Sequence, residues 1–174
     1  NCVSLPLLWY AVAERLGYPV FAVAGPQHLF LRYEDSSHRS NIEATSGGGS
    51  QTDDQLAMDL EIPEQGVHSG AYLRSLSKRE LLAILVGESA GPALMRGQLH
   101  TAIPLLERAL RVDPRSIETH VQLARALQLQ AQRIGDQELD RQARKHARFA
   151  TALGAAPPLK GGYWDDFVTR RMGA

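Results

Sequence analysis

The period of the hydrophobic residues changes along this chain, and that change constrains the fold more than any other feature. Residues 19–24 (PVFAVA) form a short apolar run with β-branched and aromatic side chains, the pattern of a buried strand. Residues 27–34 (QHLFLRYE) alternate, with His28, Phe30 and Arg32 on one face and Leu29, Leu31 and Tyr33 on the other. Residues 39–45 alternate as well, setting Asn41 and Glu43 against Ile42 and Ala44. Gly25-Pro26 and the polar stretch 35–38 supply the turns. From about Leu82 onward the pattern is that of paired helices. A small antiparallel sheet followed by helices predicts an α+β fold.

The helical segments carry their own start and stop signals. Residues 3–17 predict a first helix, with Leu5, Leu8, Trp9, Val12, Ala13 and Leu16 at helical spacing. Pro6 requires a start close before it, Ser4 or Asn1 is the expected N-cap, and Gly17 is the stop. Residues 46–51 read as a flexible glycine- and serine-rich loop, and 63–71 as irregular chain. Thr52 predicts the cap of a short helix through Leu60, and Ser77 with Glu80 forms a capping-box pattern. Gly91-Pro92 marks a break before 93–96. Helices are expected over 100–112, 116–133 and 136–153, the first closed by Asp113-Pro114. The aromatics of the tail, Tyr163, Trp164 and Phe167, are expected to dock on a helical surface.

Bulk properties narrow the function. A chain of 174 residues suits one domain, or two small units sharing a core. Lysine and arginine number 19, as do aspartate and glutamate, so the charge balance gives no argument for nucleic-acid binding. No apolar run reaches membrane-spanning length, and no signal peptide is visible. The chain opens at Asn1-Cys2 without a methionine and reads as a fragment or processed form. One cysteine excludes an internal disulfide and does not identify a compartment.

Chemistry concentrates in the first 49 residues. Cys2 stands where the first helix begins, His28 opens a strand, and Glu43 lies on the next strand. In a hairpin whose apolar faces agree, Leu29 and Leu31 share a side with Ile42 and Ala44, so His28 and Glu43 meet on the opposite side. A free thiol has a pKa of about 8.5, which a helix N-terminus and an adjacent imidazolium lower. On this reading Cys2 is the nucleophile, His28 the base and Glu43 the acid that orients the imidazole, giving acyl transfer through a thioester. The alternative is a small buried cysteine with no chemistry. Asn41 either orients His28 in place of Glu43, binds substrate, or is a polar strand-edge residue. Trp9 lines a cleft or packs in the core, and Arg32 either meets a substrate carboxylate or is a solvated strand residue.

Other chemistries have weaker support. The six histidines are scattered with no helical pair, so no metal site is expected. Gly47–Gly49 lacks the lysine and helix of a phosphate loop, and no cofactor is implied. Arg144, Lys145 and Arg148 follow Asp136, Glu138 and Asp140 and read as a solvated helix face.

Two family resemblances follow from ordered motifs. Cys2-Val3-Ser4-Leu5, Ala13-Glu14-Arg15-Leu16-Gly17-Tyr18-Pro19-Val20, Pro26-Gln27-His28 and Asn41-Ile42-Glu43 before Gly47-Gly48 resemble the transglutaminase-like domain of the SirB1 type. Tyr72-Leu73-Arg74-Ser75-Leu76-Ser77 is similar to that family's lead into its helical tail. The sequence departs from the family in Gln27, which replaces a usual glycine, and in Glu43, where many relatives have aspartate. Gly97, Ala102, Leu106, Ala109 and Pro114 stand at the spacings of a tetratricopeptide repeat, and 116–156 resembles a second, degenerate repeat. The resemblances imply a papain/transglutaminase-like unit over 1–76, TPR-like helical hairpins over 77–156 and a tail over 157–174. They imply a thiol hydrolase or acyltransferase acting on an amide or peptide, with a peptide or protein partner. The alternative is a non-catalytic scaffold whose helices hold a partner.

Overall fold

A computed structural model describes residues 3–155, the side chain of Ser46 excepted. Its first helix, α1 (Ser4–Arg15), begins two residues before Pro6, as proline in the first turn requires. Ser4 lies inside the helix, and Val3 occupies the cap position without a side-chain bond, which corrects the expectation of Ser4 as cap. Asn1, the other expected cap, lies outside the described residues.

Four antiparallel strands follow as a meander in the order β1-β2-β3-β4. They are β1 (Val20–Gly25), β2 (His28–Glu34), β3 (Arg39–Glu43) and β4 (Gly49–Gln51). The segment expected to be a flexible loop is thus a 3₁₀ turn, Ala44–Ser46, leading into a strand. Leu31 pairs with Ile42 and Arg32 with Asn41, the register that agreement of the apolar faces demands. The free edge of β1 is covered by the chain at 73–76, where Leu73 and Leu76 donate to the carbonyls of Ala24 and Ala22.

Both faces of the sheet are buried. Leu7 and Tyr10 of α1 pack with Ala22, Leu29, Leu76 and Leu81 on one side. On the other, Val23 and Phe30 form a core with Leu56, Ile62, Tyr72, Ile117 and Ala150. Leu56 belongs to α2 (Asp53–Asp59), and the stretch expected to be irregular contains α3 (Glu64–His68). Thr52 and Ser77 each close a full capping box, at the starts of α2 and of α4 (Lys78–Glu88).

The rest of the described chain is helical: α5 (Gly91–Met95), α6 (Leu99–Val112), α7 (Ile117–Ile134) and α8 (Gln137–Leu153). Ala102, Leu106, Leu123, Ala126, Leu127 and Ala143 form the core between α6, α7 and α8. Ile117 and Ala150 carry these helices onto the sheet, so the two halves share a core. The tail aromatics expected to dock on a helix lie outside the described residues.

Candidate functional site

The site is built at the ends of β2 and β3. His28 is the first residue of β2, and Glu43 the last of β3. Their side chains meet, with His28 Nε2 2.5 Å from Glu43 Oε2. The imidazole lies nearly parallel to the Phe30 ring, the centroids 6.5 Å apart. Both partners are largely shielded, with side chains 17% and 13% exposed, so water competes weakly for their bond.

Glutamate is one methylene longer than aspartate, and the chain fixes the extra torsion. Glu43 Oε1 accepts from the Thr45 amide at 2.9 Å and from the Thr45 hydroxyl at 2.5 Å, capping the 3₁₀ turn. One carboxylate oxygen therefore anchors the backbone and the other meets the imidazole. Burial pushes the Glu43 carboxyl up, but the hydrogen bonds from Thr45 and His28 outweigh it and leave the group below its ordinary value. An ionised Glu43 on Nε2 holds the proton there and leaves Nδ1 as the imidazole's base atom.

Cys2 lies outside the described residues, so the structure describes the imidazole–carboxylate pair of His28 and Glu43 alone. The first helix approaches from the other parity of the sheet, since Leu7 and Tyr10 pack beside Leu29. Trp9 is 41% exposed rather than a core residue. Its indole lies over the loop after Glu43, where a Cβ on Gly48 would come within 2.9 Å of the ring. Close approach, together with a φ of +83°, is why glycine stands there.

Arg32 and Asn41 differ from expectation. Arg32 is fully buried, not solvated, and Asn41 is 2% exposed, not a strand-edge residue. Arg32 Nε donates to Asn41 Oδ1 at 2.8 Å, Nη1 to the Leu73 carbonyl at 2.9 Å, and Nη2 to Asp53 Oδ1 at 2.6 Å. Asn41 Nδ2 donates to the same Asp53 oxygen at 2.7 Å. Burial lowers the Arg32 pKa, partly offset by the Asp53 charge. This network ties β2, β3, α2 and the 73–76 segment together, and it engages both side chains inside the fold. Asn41 is bonded to Arg32 and Asp53, while His28 is oriented by Glu43.

Sequence reasoning missed Asp53 and Thr45 as supports of the site. Thr45 had a local signal, because a side chain two residues ahead of an amide readily caps it. Asp53 had none beyond its place in a helix's first turn. Among the described residues, no three histidine, cysteine, aspartate or glutamate side chains gather as a metal-binding group. No described helix is long and apolar enough to cross a membrane.

The model of the transglutaminase-like superfamily matches residues 1–87. The chain belongs to the transglutaminase-like superfamily. The match spans α1, the whole sheet and most of α4, and so contains Cys2, His28 and Glu43. Membership supports a papain-like thiol enzyme at the level of the superfamily. No curated protein and no solved structure matches the chain.

Proposed function

We propose that this member of the superfamily is a thiol-dependent hydrolase or acyltransferase acting on an amide or peptide bond. The observation that carries the reading is the 2.5 Å contact between His28 and Glu43, inside the segment matched by the family. Glu43 holds the imidazole, and His28 Nδ1 takes the proton of the Cys2 thiol. The thiolate attacks the carbonyl carbon, and the imidazolium returns the proton to the leaving amine. Water or an amine then attacks the thioester, with His28 again as base, and Cys2 is regenerated. Backbone N–H groups in the first turn of α1 would face the oxyanion. The ordered motifs near Cys2, Leu16, His28 and Glu43 support the SirB1 type, and the buried Ala102, Leu106 and Ala109 support a TPR-like packing of the helices.

The test is chemical. At pH 6 the intact protein should react with iodoacetamide faster than a free thiol, by about threefold for each unit by which the thiol pKa is lowered, since a less basic thiolate is also a weaker nucleophile. His28→Ala should remove the excess. Equal rates in the two proteins would sink the activated thiol.

A second reading has one observation in its favour. The outer face of α8 forms an open depression lined by Arg141, Arg144, Lys145, Arg148, Phe149 and Ala152. A cationic wall with an aromatic floor suits a peptide partner, and on this reading the sheet unit is a platform. Partner capture that survives Cys2→Ala and fails with Arg148→Glu supports it. The pairs Arg141–Glu138 and Arg144–Asp140 on exposed side chains fit a solvated face equally.

A further inference from the structure

One partly buried acid, far from the His28–Glu43 pair in sequence, touches the chain immediately before the imidazole. Glu118 stands in the first turn of α7. Its Oε1 accepts from the Gln27 backbone N–H at 3.3 Å and from the Tyr72 hydroxyl at 2.8 Å. Gln27 directly precedes His28, and its φ is +52°. That left-handed conformation is disfavoured for any residue with a Cβ, and it persists where surrounding structure holds it. Glu118 reaches the turn from 91 residues away in sequence.

Packing converges on the same place. Ile117, next to Glu118, shares a core with Val23, Phe30 and Tyr72. His28 lies against Phe30. The backbone before the imidazole is thus hydrogen-bonded to the start of α7, and the ring beside the imidazole belongs to the core that the start of α7 enters.

We propose that Glu118 is a positioning residue for His28: by holding the strained Gln27 turn, it makes the helical half of the chain set where the imidazole stands. The proposal rests on the reading of His28 and Glu43 as a base and its orienting acid. Glu118 acts as an acceptor, so a neutral carboxamide in its place performs the same task and alanine does not. Burial raises the Glu118 carboxyl above its ordinary value against the bonds from Tyr72 and Gln27, and the nearby Glu88 adds to the rise.

The experiment compares the full chain with Glu118→Ala, Glu118→Gln and Tyr72→Phe, which removes the tether on the carboxyl. Three quantities are read: amide exchange at Gln27, the pH titration of the His28 ring nitrogens by NMR, and the iodoacetamide rate of Cys2. Glu118→Ala should speed Gln27 exchange about tenfold relative to the Leu106 and Leu123 amides, move the His28 titration and slow alkylation severalfold. Glu118→Gln should restore all three, and Tyr72→Phe should speed Gln27 exchange about threefold. Exchange that rises equally at all core amides, an unmoved His28 titration, or a glutamine variant as impaired as the alanine variant overturns the proposal. If Glu118→Ala does not fold, Tyr72→Phe decides, and unchanged Gln27 exchange there overturns it. An ordinary wild-type alkylation rate, with Gln27 exchange and His28 titration still answering to Glu118, supports the positioning and overturns the thiol-enzyme reading instead.

Discussion

At the scale of the residue, Glu43 has two tasks, and both favour its ionised form. It accepts from Thr45 through one oxygen and meets His28 through the other. Burial opposes its charge, yet these bonds leave its folded pKa below the ordinary value of 4.5. A carboxyl whose folded pKa is depressed adds stability that is fully present above its unfolded pKa, and this is lost as pH falls through the folded value. We therefore expect Glu43→Gln to be less stable than the wild type at pH 7, with the gap closing below about pH 4.5 as both forms become neutral. Urea unfolding of the two proteins at pH 3, 5 and 7 measures it, and a gap constant across that range would refute the assignment. Strand parity alone predicts that His28 and Glu43 share a face, because side chains alternate with a fixed period of two. The positive φ of Gln27 had only a faint sign, the usual glycine being replaced, and nothing local pointed to Glu118 as the group that holds it.

At the scale of the element, the least legible feature is the junction of β2, β3 and α2. An arginine in an alternating strand reads as solvated, since long charged side chains are seldom fully buried. Here Arg32 is buried because Asn41, Asp53 and the Leu73 carbonyl satisfy it. Asp53 also takes an ion pair from Arg39 at 2.9 Å, so the network reaches the surface at β3. Removing one member of such a group leaves the others uncompensated. Arg32→Met should cost about 3 kcal/mol of stability, read as a lower urea midpoint. A loss below about 1 kcal/mol would mean that Asp53 simply turns to water. By contrast, the caps at Thr52 and Ser77 and the box that Ser77 makes with Glu80 follow from local sequence, while the structure adds Gln55, three residues on, as the partner that completes a box at Thr52.

At the scale of the whole molecule, the helical half is part of the same packed body as the sheet. Arg74, leaving the sheet, bridges Glu80 of α4 at 2.8 Å and Asp113 after α6 at 3.2 Å. The closest approach is between glycines: a Cβ on Gly154, at φ +94°, would lie 2.2 Å from the Gly66 nitrogen. Backbone on both sides cannot yield as a side chain does, so Gly154→Ala should cost about 3 kcal/mol. Thermal unfolding should show sheet and helices melting in one transition at a lower temperature. Separate transitions in the wild type would contradict the shared core. The sequence by itself determined the α+β class, the faces of the strands and the principal helix starts, because each follows from neighbours a few residues apart, and the meeting of His28 with Glu43, because strand parity across one short hairpin sets it. Only the tertiary structure decided that Arg32 is buried, that Glu118 holds the turn before His28, and that α7 and α8 close the core over Phe30. Asn41 comes to Arg32 through strand pairing, but Asp53 lies 21 residues from Arg32, Glu118 lies 91 from Gln27, and the α7 and α8 residues beside Phe30 are more distant in sequence than Asp53, and no local period or cap encodes a contact of that range.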